Sequence, residues 1–461
     1  MKRLLLKSLI SLVLITLILP MVSAATPIVI WSNAVPTDDI SLSKDGNYVA
    51  IASDNQLRFY DRTSGTPLWT HTLSSGYFRS VAISADGDCV VAGISLPDGG
   101  KVLFWKNSRT LTGNPASSWM SENLGGGVYR RCLDISEDGN YVVACGTGRW
   151  VFYWANTKIL SGADKPWTWR SVLFSSVECV DLSSDGDYVA AGIVDYTLGD
   201  MAAYWKNTRT LTGNDRNPDW KSSSPDNSVS DVAISDDGNY IAVATGADLS
   251  VHYWANAKSL TGDPAHTWYY GSGTYFSSID MSSDGNSVIA SSGGGVPNIA
   301  PQKGDTSKAA LGVTGGVVYF WSGAKGLTGK PQNPTWTYAT KARIHDVAID
   351  DVGAYMAADA NILIPGEVYF FNSGGTLLWS YPIDLADKVS ISGDGATLAV
   401  GTSAQDTGYL LSTGFSSGNL ANPVGGLVMP TNKLEIVAPV AALAGLAAVI
   451  SAVVAVKRRR D

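Results

Sequence analysis

Aspartates at two repeated positions are the residues of this chain best suited to bind a charged ligand. Asp134, Asp181 and Asp280 share one position of a repeated β-strand, and Asp39, Asp231 and Asp346 share another, two residues earlier. If these strands surround a central channel, the six carboxylates collect near its mouth and could hold a cation such as Ca²⁺, which prefers oxygen ligands. The alternative is that each carboxylate accepts hydrogen bonds from backbone N–H groups at the strand ends.

The other reactive residue types form no catalytic pattern. The four histidines, His71, His252, His266 and His345, are scattered along the chain, and each is interpreted as a strand or loop residue. The sequence contains no Gly-x-Ser-x-Gly, His-Glu-x-x-His or phosphate-loop motif. We therefore predict a protein that is not an enzyme, with no catalytic or cofactor-binding residue and no cofactor unless Ca²⁺ binds.

The four cysteines allow three disulfide pairings if they oxidise. They are Cys89, Cys132, Cys145 and Cys179. Cys132 and Cys179 occupy equivalent positions in consecutive repeats and are expected to be neighbours. The alternative is that all four are small apolar residues packed in strands. No Cys-x-x-Cys or His/Cys spacing indicates zinc.

A β-hairpin that occurs eight times positions these residues. In one copy, Val232 and Ile234 point to one side of the first strand, Asp236-Asp237-Gly238 supplies the turn, and Tyr240 begins the return strand. The turns are Ser43–Gly46, Ser84–Gly87, Ser136–Gly139, Ser183–Gly186, Ser235–Gly238, Ser282–Gly285, Asp350–Gly353 and Ser392–Gly395. Most of them are spaced by roughly 40 to 50 residues, which is typical of the four-stranded blades of a β-propeller.

Two further strands complete each repeat. The third ends in an aromatic pair such as Tyr153-Trp154, followed by a segment such as Asn156 to Gly162, predicted to form one helical turn capped by the Asn and the Gly. The fourth carries a tryptophan expected to dock onto the fold. The docking tryptophans are Trp31, Trp69, Trp119, Trp169, Trp220, Trp268, Trp336 and Trp379.

The two ends of the repeat array complement each other. Trp31 belongs to a strand that precedes the first hairpin, whereas the last repeat stops after a third strand near Tyr409 to Ser412. We expect residues 27–33 to complete the last blade, because closure removes exposed strand edges. The predicted fold is therefore an all-β, eight-bladed β-propeller. Seven blades are the alternative if the last repeat packs outside the ring.

Two propeller families resemble these repeats. The segment Phe59 to Trp69 resembles the tryptophan-docking repeat of PQQ-type propellers, and Phe371 to Trp379 is a looser copy. The Ser-x-Asp-Gly hairpins resemble those of WD40 propellers. The resemblance covers residues 27–412 and implies that Trp69 and Trp379 dock onto the neighbouring blade. It also raises the alternative of a PQQ-dependent, quinoprotein-like oxidoreductase, although these four cysteines include no adjacent pair of the kind such enzymes typically carry.

The chain ends predict export and anchoring. Residues 1–24 are interpreted as a signal peptide, 25–412 as the propeller, 413–435 as a flexible stalk, 436–456 as a transmembrane helix and 457–461 as a basic cytoplasmic tail. This arrangement resembles the sorting signals of prokaryotic surface proteins, archaeal ones included. The predicted location is the cell membrane, with one membrane span and the propeller outside the cytoplasm.

The predicted function is binding rather than catalysis. The net charge is −8, and each end contributes +3, so the part between them carries −14 and would repel nucleic acid. We predict a cell-surface, membrane-anchored propeller that recognises an envelope protein or a surface polysaccharide. An envelope-assembly scaffold is the alternative. The insertion at 292–316, between the second and third strands of one repeat, is a further candidate for function.

Overall fold

The computed structural model describes residues 26–146, 148–195, 200–223, 227–246, 248–293, 315–329, 331–360, 366–403 and 407–419. Its strands are β1 (Ile28–Ala34), β2 (Asp39–Leu42), β3 (Tyr48–Ser53), β4 (Gln56–Asp61), β5 (Trp69–Thr72), β6 (Tyr77–Ile83), β7 (Cys89–Leu96), β8 (Gly99–Lys106), β9 (Trp119–Ser121), β10 (Leu133–Ile135), β11 (Tyr141–Cys145), β12 (Trp150–Ala155), β13 (Gly162–Lys165), β14 (Trp169–Val172), β15 (Ser176–Leu182), β16 (Tyr188–Asp195) and β17 (Asp200–Lys206). They continue with β18 (Trp220–Ser223), β19 (Asn227–Ile234), β20 (Tyr240–Thr245), β21 (Ser250–Ala255), β22 (Trp268–Gly271), β23 (Phe276–Met281), β24 (Ser287–Ser292), β25 (Val317–Ser322), β26 (Trp336–Ala339), β27 (Val347–Ile349), β28 (Tyr355–Ala360), β29 (Glu367–Asn372), β30 (Leu377–Pro382), β31 (Ala386–Ile391), β32 (Thr397–Thr402) and β33 (Thr407–Ser412).

The helices of the described residues are short 3₁₀ turns. They are Ser108–Thr110, Thr157–Ile159, Thr208–Thr210, Ala257–Ser259, Ala324–Gly326 and Ser417–Asn419. Five of them follow the third strand of a repeat, where the sequence predicts a helical turn. The expected Asn cap is wrong, however, because Asn156 makes no side-chain capping bond and adopts a left-handed conformation with φ 58°. Gly162 lies beyond the turn and pairs with Trp119 of the preceding sheet.

The strands associate in antiparallel groups of four, so the all-β, propeller-like fold predicted from the sequence is confirmed. Consecutive groups are β2–β5, β6–β9, β10–β12 with β14, β15–β18, β19–β22, β23–β26 and β27–β30. The remaining group has the order β1-β33-β32-β31, with Trp31 opposite Leu410 and Ser32 opposite Tyr409. The first described strand therefore pairs with the last.

Hydrogen bonds within each hairpin turn explain the Ser-x-Asp-Gly repeat. The Ser235 hydroxyl donates to Asp237 at 2.7 Å and accepts from the N–H of Tyr240 at 3.0 Å. Gly238 has φ +72°, and a Cβ there would lie 2.4 Å from the ring of Tyr188 in the preceding sheet. Glycine is required both by the left-handed backbone and by this close approach.

The fourth-strand tryptophans join neighbouring sheets. Trp169 is buried, stacks on Tyr153 of its own sheet with ring centroids 5.1 Å apart, and contacts Trp205 of the next sheet at 6.0 Å. The indole N–H groups donate to backbone carbonyls in the pairs Trp69–Ser108, Trp119–Thr157, Trp169–Thr208, Trp220–Ala257, Trp268–Ala324, Trp336–Ser373 and Trp379–Thr413, at 2.9 to 3.0 Å. Trp31 packs on Tyr60 at 5.0 Å without such a bond.

The cysteines pair within one hairpin. Cys132 and Cys145 form a disulfide, with their Cα atoms 4.7 Å apart, while Cys89 and Cys179 are buried free thiols. The Cys132 sulfur lies 3.4 Å from the Glu178 carbonyl oxygen, so the strand that carries Cys179 is adjacent. The interpretation of all four cysteines as unpaired strand residues is wrong for Cys132 and Cys145.

The predicted membrane location is contradicted. Across the ranges described above, none of the helices has the length and apolar character that crossing a bilayer requires. The proposed signal peptide (1–24), transmembrane helix (436–456) and basic tail (457–461) lie outside the described residues, as does most of the 292–316 insertion.

Candidate functional site

The hairpin turns at one end of the first strands are linked in series by backbone hydrogen bonds. In each link, an N–H near the second residue of one turn donates to the carbonyl of the equivalent residue in the next turn. The donor–acceptor pairs are Asp45–Ala85, Ala85–Glu137, Glu137–Ser184, Ser184–Asp236, Asp236–Ser283, Ser283–Asp351, Asp351–Gly393 and Gly393–Lys44, at 2.8 to 3.2 Å. The series returns to the turn in which it begins. We call this the turn end of the channel.

A lysine side chain crosses the turn end. The Lys44 ammonium contacts the carboxylates of Glu137, Asp236 and Asp351, which belong to three different sheets. Burial by itself lowers the pKa of Lys44, but these three carboxylates outweigh it and raise that pKa above its usual value. The carboxylates are 35 to 41% exposed, so water screens these ion pairs in part.

The opposite end of the same strands opens into a cavity of about 560 Å³, which we call the mouth. Serines line one part of it, from Ser228 and Ser230 in β19 to Ser277 in β23. Charged side chains line another part, namely Arg130, Arg131, Glu178, Arg343, Asp387 and Lys388, and the lining also includes His345, Tyr275, Val194 and Val229. The cavity is thus polar, and most of its charged side chains are basic.

Arg131 ties the mouth together from inside. Its backbone is left-handed, with φ 63°, which is unusual for a residue other than glycine. The guanidinium donates to the carbonyls of Ser230, Ser277 and His345 at 2.7 to 3.2 Å. It also pairs with Asp231 and Asp346, each at 3.4 Å. Burial by itself lowers the pKa of Arg131, but the two carboxylates raise it above its usual value.

The aspartates nearer the mouth each bond to the next sheet. Asp39 accepts from the N–H of Val81 at 2.9 Å, and Asp231 accepts from the N–H of Ile279 at 3.1 Å. Asp346 accepts from the N–H of Val389 at 3.2 Å and from the Ser278 hydroxyl at 2.9 Å. Burial raises the pKa of Asp39 and Asp231. The pKa of Asp346 is lowered, because Lys388 and Arg131 outweigh the effect of burial.

The aspartates two residues further along make the same kind of link. Asp134 accepts from the N–H of Leu182, Asp181 from that of Ile234, and Asp280 from that of Ile349, at 2.8 to 3.0 Å. Burial raises the pKa of Asp134 to about 6 and that of Asp280 to about 7. Burial, with the carboxyl of Asp134 beside it, raises the pKa of Asp181 well above its usual value.

Five of the six predicted carboxylates thus lie on the first strands, and Asp346 immediately precedes one, but the structure does not gather them into a metal centre. In the residues that the structure describes, no group of three or more His, Cys, Asp or Glu side chains could hold a metal ion. What the six carboxylates share is that each accepts a hydrogen bond from a backbone N–H group of the neighbouring sheet.

Sequence reasoning missed the basic residues at both ends of the channel. Counted back from the turns, Lys388 takes a position where other repeats have aspartate, serine or cysteine, and Lys44 is the variable residue of its turn. Arg131 takes a position that varies among aspartate, arginine, glutamate, serine and histidine. An alignment of the repeats by their turns would have shown Lys388 as an exception but not Arg131. None of the three belongs to a motif with a known ligand.

Taken together, the four-stranded antiparallel sheets and the central polar channel define a β-propeller. Within it, residues 219–255, from β18 to β21, match the family described as WD domain, G-beta repeat. No curated protein matches the chain by sequence.

Solved structures show the same fold. The C-terminal WD40 domain of Sif2 matches with a TM-score of 0.61 and 14% identity, covering 84% of this chain and 99% of that one. The β-propeller domain of Cps50 (Swd1) from Myceliophteria thermophila matches with a TM-score of 0.50 and 12% identity, covering 74% of this chain and 98% of that one. At these identities the likeness establishes the fold alone.

Proposed function

We propose that this chain is a protein-interaction scaffold that binds a protein partner at the mouth of its channel. WD40 propellers generally act as such scaffolds, and both the matched repeat and the fold support this class. The mouth cavity is the observation that carries the choice of site. The turn end is a poorer candidate, because Lys44 and the series of backbone bonds already occupy it.

A closed ring of eight blades is part of this proposal. Two observations support it: the pairing of β1 with β33, and the series of turn bonds that returns to Lys44. A closed ring suits a scaffold, because each blade is held on both sides and the mouth keeps its shape when a partner binds. We assign the six aspartates and the fourth-strand tryptophans to holding neighbouring blades together.

Non-enzymatic action and the nature of the partner stay predictions. The family resemblance supports binding over catalysis, and the pattern of bonds to the six aspartates gives them a structural role. The partner predicted from the sequence is an envelope protein or a surface glycan. Of these, a protein is favoured by the general role of WD40 propellers.

Site-specific photo-crosslinking tests the proposal. A photoreactive amino acid is placed at Glu178, an exposed residue that lines the mouth, and separately at Thr110, an exposed residue at the end of the 3₁₀ turn of another repeat. We expect a discrete protein adduct from position 178 and none of the same mass from position 110. Equal adducts from both positions would argue against the mouth. Binding to a glycan array without a protein adduct would favour the glycan instead.

A further inference from the structure

Among the described residues, one basic side chain of the mouth has no carboxylate partner. Arg130 pairs with Asp387 at 3.0 Å, and Lys388 lies 3.7 Å from Asp346. Arg131 is held by its two aspartates, as described above. Arg343, by contrast, has no carboxylate partner in the part of the chain that the structure describes, and its buried Nε has no hydrogen-bond partner there.

Two residues that line the same cavity carry further polar atoms without a partner. They are the Ser230 hydroxyl and the Nδ1 atom of His345, both buried and without a hydrogen-bond partner among the described residues. A ligand reaches these atoms when the side chains turn toward the cavity, and a partner gained in this way lowers the free energy, because a buried polar group without a partner is costly. Arg343, a hydroxyl and an imidazole N–H are all able to donate to an anion.

An acceptor in the cavity narrows the class of ligand further. Asp387 is 7% exposed, and its Oδ1 atom has no partner in the described residues, although its Oδ2 atom accepts from Arg130. A simple anion has nothing to donate to this oxygen. A peptide does, because its backbone N–H groups accompany any acidic side chain.

We infer that the mouth is a subsite for an acidic peptide segment, with a Glu or Asp carboxylate on Arg343 and a backbone N–H near Asp387. The inference rests on the proposed function and specifies the chemistry of the partner. Tyr275, whose ring centroid lies 5.9 Å from the Arg343 guanidinium carbon and which is 38% exposed, provides a face for the stem of the acidic side chain. Glu178 repels the segment from the other side of the cavity and sets its direction.

Fluorescence anisotropy with fluorescein-labelled hexaglutamate tests this inference on the full-length chain. We expect hexaglutamate to bind and labelled hexalysine to bind more weakly. Arg343→Gln should weaken hexaglutamate binding by about tenfold, because it removes the charge-assisted bonds. Glu178→Gln should tighten it by about twofold to threefold. The matched control Arg109→Gln removes the same charge in the 3₁₀ turn Ser108–Thr110, which does not line the mouth, and should leave binding unchanged.

Each result decides the inference. It is overturned if hexalysine binds more tightly, if neither Arg343→Gln nor Glu178→Gln changes hexaglutamate binding, or if pyrophosphate displaces hexaglutamate as well as unlabelled hexaglutamate does. Glu178→Gln keeps the test decisive should Arg343→Gln fold poorly, since Glu178 is exposed. A crosslinked partner without hexaglutamate binding would leave the proposed function standing. Hexaglutamate binding that depends on Arg343, without any crosslinked partner, would support the acidic-peptide subsite and count against the proposed function.

Discussion

At each end of the channel, one basic side chain joins distant sheets by pairing with their carboxylates. The two ends differ in how far these carboxylates are exposed to water. At the mouth, Arg131 reaches Asp231 and Asp346, whose side chains are only 11% exposed. At the turn end, Lys44 reaches carboxylates that are 35 to 41% exposed. Attraction between charges is stronger where water is scarce, but breaking such a pair then leaves a charge without compensation.

The two ends also differ in the hydrogen bonds of the backbone. The turn end carries its own series of N–H to carbonyl bonds, so the turns stay joined even without the Lys44 ammonium. At the mouth, three carbonyls are satisfied by the Arg131 guanidinium itself. Lys44 therefore reinforces turns that backbone bonds already join. At the mouth, the Arg131 guanidinium adds three bonds to carbonyls to the bonds that Asp231 and Asp346 make with the next sheets.

The largest expected effect follows from removing Arg131. Arg131→Met should lower the free energy of unfolding by about 3–5 kcal/mol, because two aspartates lose their ion pair and three carbonyls lose their hydrogen bond where little water can replace them. Urea unfolding followed by tryptophan fluorescence measures it. Arg209→Met is the control, since that arginine is 40% exposed and pairs with Asp185, which is 47% exposed, and Asp187, which is 14% exposed. A loss at Arg131 no larger than that of the control would remove the distinction between the ends.

Much of the fold follows from local signals in the sequence. Asp237-Gly238 and the alternation around Val232 depend only on neighbouring residues, and so does the position of Trp169 in its strand. The spare strand at Trp31 could be assigned because the last repeat lacks one. Turn chemistry and period-2 patterning therefore indicate the sheets without any knowledge of distant contacts.

The candidate site could not be predicted from such local signals. Arg131 itself has a left-handed backbone, which no residue propensity predicts, and its hydrogen-bond partners lie about 100 residues or more away in the chain. The disulfide was missed for a related reason, since equivalence between repeats pointed to Cys179, whereas Cys132 pairs across its own hairpin. Which residue occupies a given position of a repeat is visible in the sequence, but where its side chain points is not.

Between the two ends, Asp280 in β23 should make the stability of the protein depend on pH. Burial raises the folded-state pKa of Asp280 to about 7, so the stability that this group contributes is complete below about pH 4 and is lost as the pH rises through 7. Asp280→Asn keeps an acceptor but cannot ionise. Its free energy of unfolding relative to the natural chain should therefore rise by about 4 kcal/mol from pH 4 to pH 8, measured by urea unfolding at each pH.

Asp284 in the following turn is the matched control, with the opposite sign. Burial alone would raise its pKa, but the N–H of Asn286 and the Lys325 ammonium outweigh this and lower it. Its contribution is therefore present above the unfolded pKa and is lost as the pH falls. Asp284→Asn should lose stability relative to the natural chain as the pH rises from 2 to 5. If both variants followed the same trend, burial would not be what separates the strand interior from the turns.

A smaller effect is expected at the turn end. Lys44→Met should cost about 1 kcal/mol, because its partners are partly solvated and the backbone bonds between the turns remain. Urea unfolding under the conditions used for Arg131→Met makes the two ends directly comparable. A cost as large as that of Arg131→Met would show that the backbone series does not hold the turns without the ammonium.

The smallest effect concerns salt. Raising NaCl from 0.1 to 1 M shortens the screening length from about 10 to about 3 Å, which weakens partly exposed ion pairs far more than buried ones. The coupling free energy between Lys44 and Asp236, from a double-mutant cycle with Lys44→Met and Asp236→Asn, should fall by about 0.3 kcal/mol. The corresponding cycle for Arg131 and Asp346 should stay constant within error. If salt weakened both couplings equally, solvation would not distinguish the mouth from the turn end, and the different costs of the two single variants would have to come from the backbone carbonyls alone.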